Sequence, residues 1–241
     1  MRHVHAVNFD IGSSRCQHRG MTITRQPYHH GDLRNALIVS ALRLIEEGGP
    51  ESFSLREAAR EVGVSANAAY RHFEDKSALM TAAAADGFER LAKQMIVAME
   101  RASRQRSRER LSIARFKAVG RAYIEFAAEH PELFRVMFGE CGSRCLSTPA
   151  QDEAESRRET PWTLLGQSLD ALVADGVLTT ERREGAELKA WTVVHGFASL
   201  ALDGHAAVSD GRARQVAIES VLDFAVIGIC GESPGNVAKR R

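Results

Sequence analysis

The sequence has no uncharged apolar run long enough to cross a bilayer, no apolar secretion signal near its start, and no strong excess of either charge. The first two absences predict a cytoplasmic protein with no membrane partner. The third is a formal net charge of +1 over 241 residues. It argues against a general nucleic-acid packaging protein, because sequence-independent phosphate binding draws on a basic field. Cysteine is scarce as well. Cys16, Cys141, Cys145 and Cys230 are too few and too scattered for a disulfide scaffold, and a reducing cytosol keeps them as thiols. A chain of this length can bury one large core or two smaller ones.

What is present is sharpest between residues 54 and 76. Ser54 can accept from the first-turn amides of a helix, and Glu57 three residues later can reach back to complete a capping box. Leu55, Ala58, Ala59 and Val62 recur at helical spacing, and Gly63 stops the helix and turns the chain. Ser65 then caps a second short helix. Its inner face is read as Val64, Ala69, Tyr70 and Phe73, leaving Ala66, Asn67, Ala68, Arg71 and His72 outward, where they can enter a major groove. Residues 25 to 76 hold seven Lys or Arg against eight Asp or Glu, so DNA contact here depends on placement rather than net charge.

These residues resemble the TetR family of transcriptional repressors. The resemblance is carried by Tyr28-His29-His30-Gly31-Asp32-Leu33-Arg34, Ser54-Leu55-Arg56-Glu57-Ala58-Ala59, Gly63-Val64-Ser65 and Tyr70-Arg71-His72-Phe73 with Lys76 and Leu79, together spanning roughly residues 28 to 80. It implies an all-α fold: an N-terminal three-helix helix-turn-helix DNA-binding domain followed by a larger helical ligand-binding and dimerisation domain. By position it implies phosphate contacts from Ser54, Tyr70, His72 and Lys76, and base contacts from Arg56, Ala66, Asn67 and Ala68, with Ser65 and Arg71 also on that surface. Two departures stand out. Ala69 occupies a place where the family more often has a larger aliphatic residue, and two alanines on the reading face leave few polar groups. Asn67 and Arg56 are the candidate base readers, since Asn can pair bidentately with adenine and Arg with guanine.

Outside that stretch, residues 1–27 hold four Arg, Asp10 and three His without helical period and are read as a disordered arm, with Met21 an alternative start. The domain division expected is 28–76 for DNA binding, 77–230 for ligand binding and dimerisation, and 231–241 as a flexible tail. Helices are expected over 32–47, from about 75 to 102, 109–130, 131–138, 161–176, 184–202 and 212–229. Residues 139–159, with Gly, Ser, Pro and mixed charge, are expected to form a mobile loop. Trp191-Thr-Val-Val-His195-Gly196 resembles the tryptophan-histidine-glycine signature of one group of TetR-family C-terminal domains. The last helix is apolar on more of its surface than one buried stripe requires, which predicts that the last two helices pack against their twins in a homodimer, Gly196 permitting close approach.

The function expected is a repressor released from a palindromic operator by a small hydrophobic or aromatic effector, with no cofactor. Phe116, Tyr123, Phe138, Trp162, Leu165, Trp191 and His195 are the candidate pocket residues, although each type also serves as ordinary core. An alternative is a metal- or redox-sensing regulator using Cys141 and Cys145, for which C-x3-C is a thin signal. An enzyme is not expected: Gly231-Glu-Ser233-Pro-Gly235 fits a nucleophile-elbow pattern but lies in a Pro- and Gly-containing tail, without the strand and helix that chemistry needs.

Overall fold

The computed structural model describes residues 32–104, 107–147, 159–205 and 211–231, and every regular element among them is a helix. Three short-range caps set the N-terminal unit. Asp32 accepts from Asn35 N at 3.3 Å and opens α1 (Leu33–Gly48). Ser54 accepts from Glu57 N at 3.2 Å and opens α2 (Leu55–Val62). Ser65 accepts from Ala68 N at 3.3 Å and opens α3 (Ala66–Tyr70). Gly63, with φ +83°, supplies the left-handed residue that lets α2 end and the corner form. Glu57 makes only half of the expected capping box, since its carboxylate pairs with Arg60 Nη2 at 3.1 Å, one turn along its own helix.

Asp75 accepts from Ala78 N at 2.7 Å and opens α4 (Lys76–Arg101), the longest helix. A 3-10 turn (Ala102–Arg104) leads towards α5 (Arg108–Glu129), and Pro131 starts α6 (Pro131–Phe138) at a position where its missing amide costs nothing. The segment expected to be a loop from 139 contains α7 (Glu140–Ser147) instead. Its Gly142, Ser143 and Ser147 read as loop residues, but the stretch packs as a helix on α4, with Cys141 Sγ 3.7 Å from Ser77 Oγ. The rest of that expected loop, 148–158, lies outside the described residues, as do the arm 1–27, residues 28–31 of the family pattern and the tail from 232. Thr160 and Thr163 exchange side-chain-to-backbone bonds in a capping box at α8 (Pro161–Ala174). The short α9 (Thr180–Arg183) precedes α10 (Ala186–Leu202) and α11 (Gly211–Cys230).

One continuous core runs from α1 to α11. Leu37, Ala41 and Ile45 of α1 and Leu79, Ala83 and Leu91 of α4 have no exposed surface, and the same cluster continues through Tyr123 and Phe126 of α5, Leu133 and Met137 of α6, and Leu222 of α11. Burying a leucine fully contributes about 1.5–3 kcal/mol, so this row holds α4 to both ends of the molecule. A second cluster joins Phe116, Leu169, Leu172, Ala190, Ala225 and Ile229 across α5, α8, α10 and α11. At the other end α1 also meets α6, where His130 Nδ1 lies 2.9 Å from Glu46 Oε1. No described helix is long and apolar enough to cross a membrane.

Helices α5, α10 and α11 converge at Gly120, where an added Cβ would fall 2.6 Å from Leu222 Cδ2 and 3.2 Å from Val194 Cγ1. Gly120→Val should therefore lower unfolding stability by about 1–3 kcal/mol through overpacking, measured as a reduced urea midpoint. A midpoint equal to that of the unchanged protein would contradict the close approach.

Candidate DNA interface and ligand cavity

The outward face of the helix-turn-helix is set by what the inward face must bury. Leu55, Ala58 and Ala59 of α2 and Ala69 and Phe73 around α3 are buried, which turns Ser54, Arg56, Ser65, Asn67, Arg71 and His72 to solvent and leaves Ala66, Ala68 and Lys76 half-buried. Tyr70 departs from the sequence expectation. It is 45% exposed rather than packed inward, because α3 ends there and the chain turns away through Arg71 to Glu74. Its hydroxyl and much of its ring thus join the polar face.

Several of these groups are already oriented. The Ser54 and Ser65 oxygens each accept a first-turn amide, which fixes the oxygen and leaves the hydroxyl proton to donate outward. Lys76 Nζ lies 5.2 Å from the centroid of the Phe53 ring and 4.0 Å from Glu51 Oε2, so the start of α4 presents an ammonium. Arg34 stands 5.2 Å over the Phe73 ring. Sequence pattern does not reveal these two cation–ring pairings, and only the aromatic and basic residue types hint at them. Beneath the face, Glu61 bonds Arg43 Nε at 2.5 Å and Ser40 Oγ at 2.8 Å, tying α2 to α1, and the Arg43 guanidinium holds the Glu61 carboxyl below its usual range.

Behind this unit lies a cavity of about 570 Å³, within the range of small-molecule sites. Its walls come from α4 (Ala85, Phe88, Glu89, Met95), α5 (Phe116, Val119, Gly120, Tyr123), Phe138 of α6, residues 159–162 and Leu165 at the start of α8, and facing residues of α10 and α11. Six of the seven pocket candidates, Phe116, Tyr123, Phe138, Trp162, Leu165 and Trp191, line this one volume. His195 is not on the wall. It sits behind Tyr123, whose Oη lies 2.7 Å from His195 Nδ1 and accepts from Trp191 Nε1 at 3.1 Å.

The indole N–H can only donate, so each group is used once when the Tyr123 proton points to His195 Nδ1 and the imidazole keeps its own proton on Nε2. Burial pushes His195 below its ordinary value and pushes the Tyr123 hydroxyl up, against the opposing effect of the Trp191 bond, so both stay neutral near pH 7. Around them Phe138 meets His195 at 4.9 Å, Trp191 meets His195 at 5.4 Å and Trp162 meets Trp191 edge to face at 6.1 Å between ring centroids.

The cysteines give less. Cys141 is half-buried against Ser77, the Cys145 side chain and Cys16 lie outside the described residues, and burial raises the Cys230 thiol to about 11. Among the described residues no group of three or more His, Cys, Asp or Glu is placed to hold a metal.

Within the buried network, Tyr123→Phe strands the Trp191 donor and the His195 nitrogen and should cost about 1–3 kcal/mol of stability. Because the folded state resists protonation of His195, its contribution is fully present above the unfolded value near 6.5 and is lost as pH falls through the lowered folded value. His195→Gln should flatten the part of the stability profile that drops as pH falls below about 6.5, read by urea unfolding at each pH. An identical profile for both proteins would contradict burial as the cause.

The sequence and fold agree with known proteins over both halves. The family model "Bacterial regulatory proteins, tetR family" matches residues 37–83, and "Tetracyclin repressor-like, C-terminal domain" matches residues 116–224. A protein with unknown function from Rhodococcus sp. RHA1 is 31% identical, with 85% of this chain and 99% of that one covered and a TM-score of 0.63. A TetR family transcription regulator from Marinobacter aquaeolei VT8 is 19% identical over 81% of this chain and 94% of its own, with a TM-score of 0.56. A bacterial regulatory protein in the tetR family from Rhodococcus RHA1 is 17% identical over 81% and 96%, with a TM-score of 0.52. Comparison with curated proteins gives no match. With a helix-turn-helix at one end, an all-helical body at the other and family models matching in each, the chain belongs to the TetR family of DNA-binding transcriptional regulators.

Proposed function

We propose that this regulator is a homodimeric repressor that a small hydrophobic or aromatic molecule releases from a palindromic operator. The observation that carries this reading is the double role of α4. Its first turn, through Asp75, Lys76 and Leu79, belongs to the helix-turn-helix, while Ala85, Phe88, Glu89 and Met95 form a wall of the cavity. A ligand that moves that wall also moves the reading unit, and a coupling of about 1–3 kcal/mol changes operator affinity 5- to 150-fold.

In this reading residues 28–76 bind DNA and 77–230 bind ligand and the second subunit. Dimerisation is supported by the outer faces of α10 and α11, where Leu188, Leu200, Val216, Phe224 and Ile227 are 58, 53, 64, 64 and 44% exposed. A Cβ at Gly196 would meet nothing within 4 Å, so that stretch of α10 is open to a partner helix. Two subunits would set their α3 helices in successive major grooves, roughly 34 Å apart. Ser54, Tyr70, His72 and Lys76 would hold phosphates while Arg56, Ala66, Asn67 and Ala68 face base edges, Ser65 and Arg71 flanking them.

Genomic fragments retained by the purified protein supply the operator, and band-shift titrations on it test the roles. Tyr70→Ala and Lys76→Ala should weaken all sequences nearly alike, whereas Asn67→Ala should relax one base position by about 1–3 kcal/mol. Equal sequence dependence for all three would contradict the assignment. Phe224→Asp should convert the dimer to a monomer in sedimentation at micromolar concentration; a persistent dimer places the interface elsewhere.

A further inference from the structure

If a homodimer on a palindromic operator is the function, on which the inference rests, something must fix the distance and angle between its two reading units. A single rod joining two bodies leaves them free to turn about its axis, and a second tie away from that axis removes the freedom. Helix α4 is the rod, since its first turn belongs to the reading unit and its later turns to the cavity wall. The second tie lies where α1 ends against the start of α6.

His130 occupies the corner between α5 and α6. Its amide donates to Phe126 O at 2.9 Å, closing α5, and its carbonyl accepts from Phe134 N at 2.8 Å, opening α6. The ring lies 4.9 Å from that of Phe126, a buried residue of the main core. Backbone and ring are thus both fixed to the body. From there Nδ1 reaches Glu46 Oε1 at 2.9 Å on the last turn of α1, and because a carboxylate only accepts, Nδ1 carries the proton.

The surroundings hold this tie in place. Gly49, just beyond α1, lies so near α6 that an added Cβ would fall 3.3 Å from Glu132 Oε2. Glu132 is itself held by Arg135, which also reaches Leu202 O at 3.5 Å at the end of α10. On the other side Arg43 Nε and Ser40 Oγ of α1 both bond the Glu61 carboxylate, so α2 follows α1, and α3 packs on both. A shift of Glu46 relative to His130 therefore carries the reading helix with it.

The geometry points to Glu46 and His130 as positioning residues for operator recognition: their hydrogen bond fixes the angle of the reading unit on the body and thereby selects the spacing of the half-sites. Neither belongs to the reading face. Their side chains are 37% and 30% exposed, and a pair so placed contributes little to folding stability, so its effect lies in orientation. One base pair inserted at the operator centre displaces the half-sites by about 3.4 Å and turns them by about 35°, a mismatch that a held unit rejects and a loosened one tolerates.

Band shifts use the full chain on its selected operator and on copies with one central base pair added or removed. The unchanged protein should prefer the selected spacing about tenfold or more. Glu46→Ala and His130→Ala should each lower that preference roughly three- to tenfold, and the double variant should match the singles because the same link is lost in each. Glu46→Gln, which keeps an acceptor oxygen, should retain most of the preference. Unchanged melting and unchanged base preference within each half-site separate orientation from general damage. Should His130→Ala melt early through loss of its Phe126 contact, Glu46→Ala, on an outer turn of α1, decides. Equal weakening at every spacing, a spacing preference untouched in the Ala variants, or losses that add in the double variant overturns the assignment. An unchanged protein that ignores spacing altogether sinks the palindrome reading together with this inference, whereas spacing dependence that survives both Ala substitutions sinks the inference alone.

Discussion

The structure depends on one shared helix. Leu79, Ala83, Ala84 and Leu91 of α4 have no exposed surface, and they lie in a single core with Leu37, Ala41 and Ile45 of α1 on one side and Tyr123, Phe126 and Leu133 on the other. Close-packed interiors do not deform continuously. A displacement of α4 near Phe88 must therefore be taken up by repacking at α1 and α2 or by rotation of that unit as a body. The α6 start adds a second tie, through His130 and Glu46, at the far side of α1. Helix α3 is only five residues long, so its position is fixed almost wholly from behind.

The cavity is kept open by an opposing constraint. It is bordered by Tyr123 and Trp191, which are joined through the Tyr123 hydroxyl to each other and to His195 behind the wall, so that the three hold their rings in place. A satisfied polar network inside an aromatic shell resists collapse, because closing the volume would break hydrogen bonds that water could not replace. Gly120 works in the same direction, letting α10 and α11 approach α5 at one point so that the wall opens beside it.

Much of this is legible in the chain because caps and stops are local chemistry. Ser54, Ser65 and Thr160-Pro161 begin helices where their side chains predict, and Gly63 ends one. What needs the third dimension is different in kind. The helix at 140–147 is short and contains Gly142, Ser143 and Ser147, a composition that reads as loop, and it packs against α4. Helical spacing places Tyr70 inward, yet α3 ends at that residue and the spacing no longer applies. Aromatic residues scattered from 116 to 191 can be named as pocket candidates, but not that His195 stands behind Tyr123 rather than on the wall.

Coupling through α4 can be read in one titration. A compound that quenches Trp162 and Trp191 is added to the protein on its selected operator fragment, with tryptophan emission and DNA anisotropy recorded together. Quenching and DNA release are expected to follow the same saturation curve, shifted to higher ligand concentration as operator is added in excess, because linkage acts equally in both directions. Saturated quenching with the operator isotherm unmoved would contradict it.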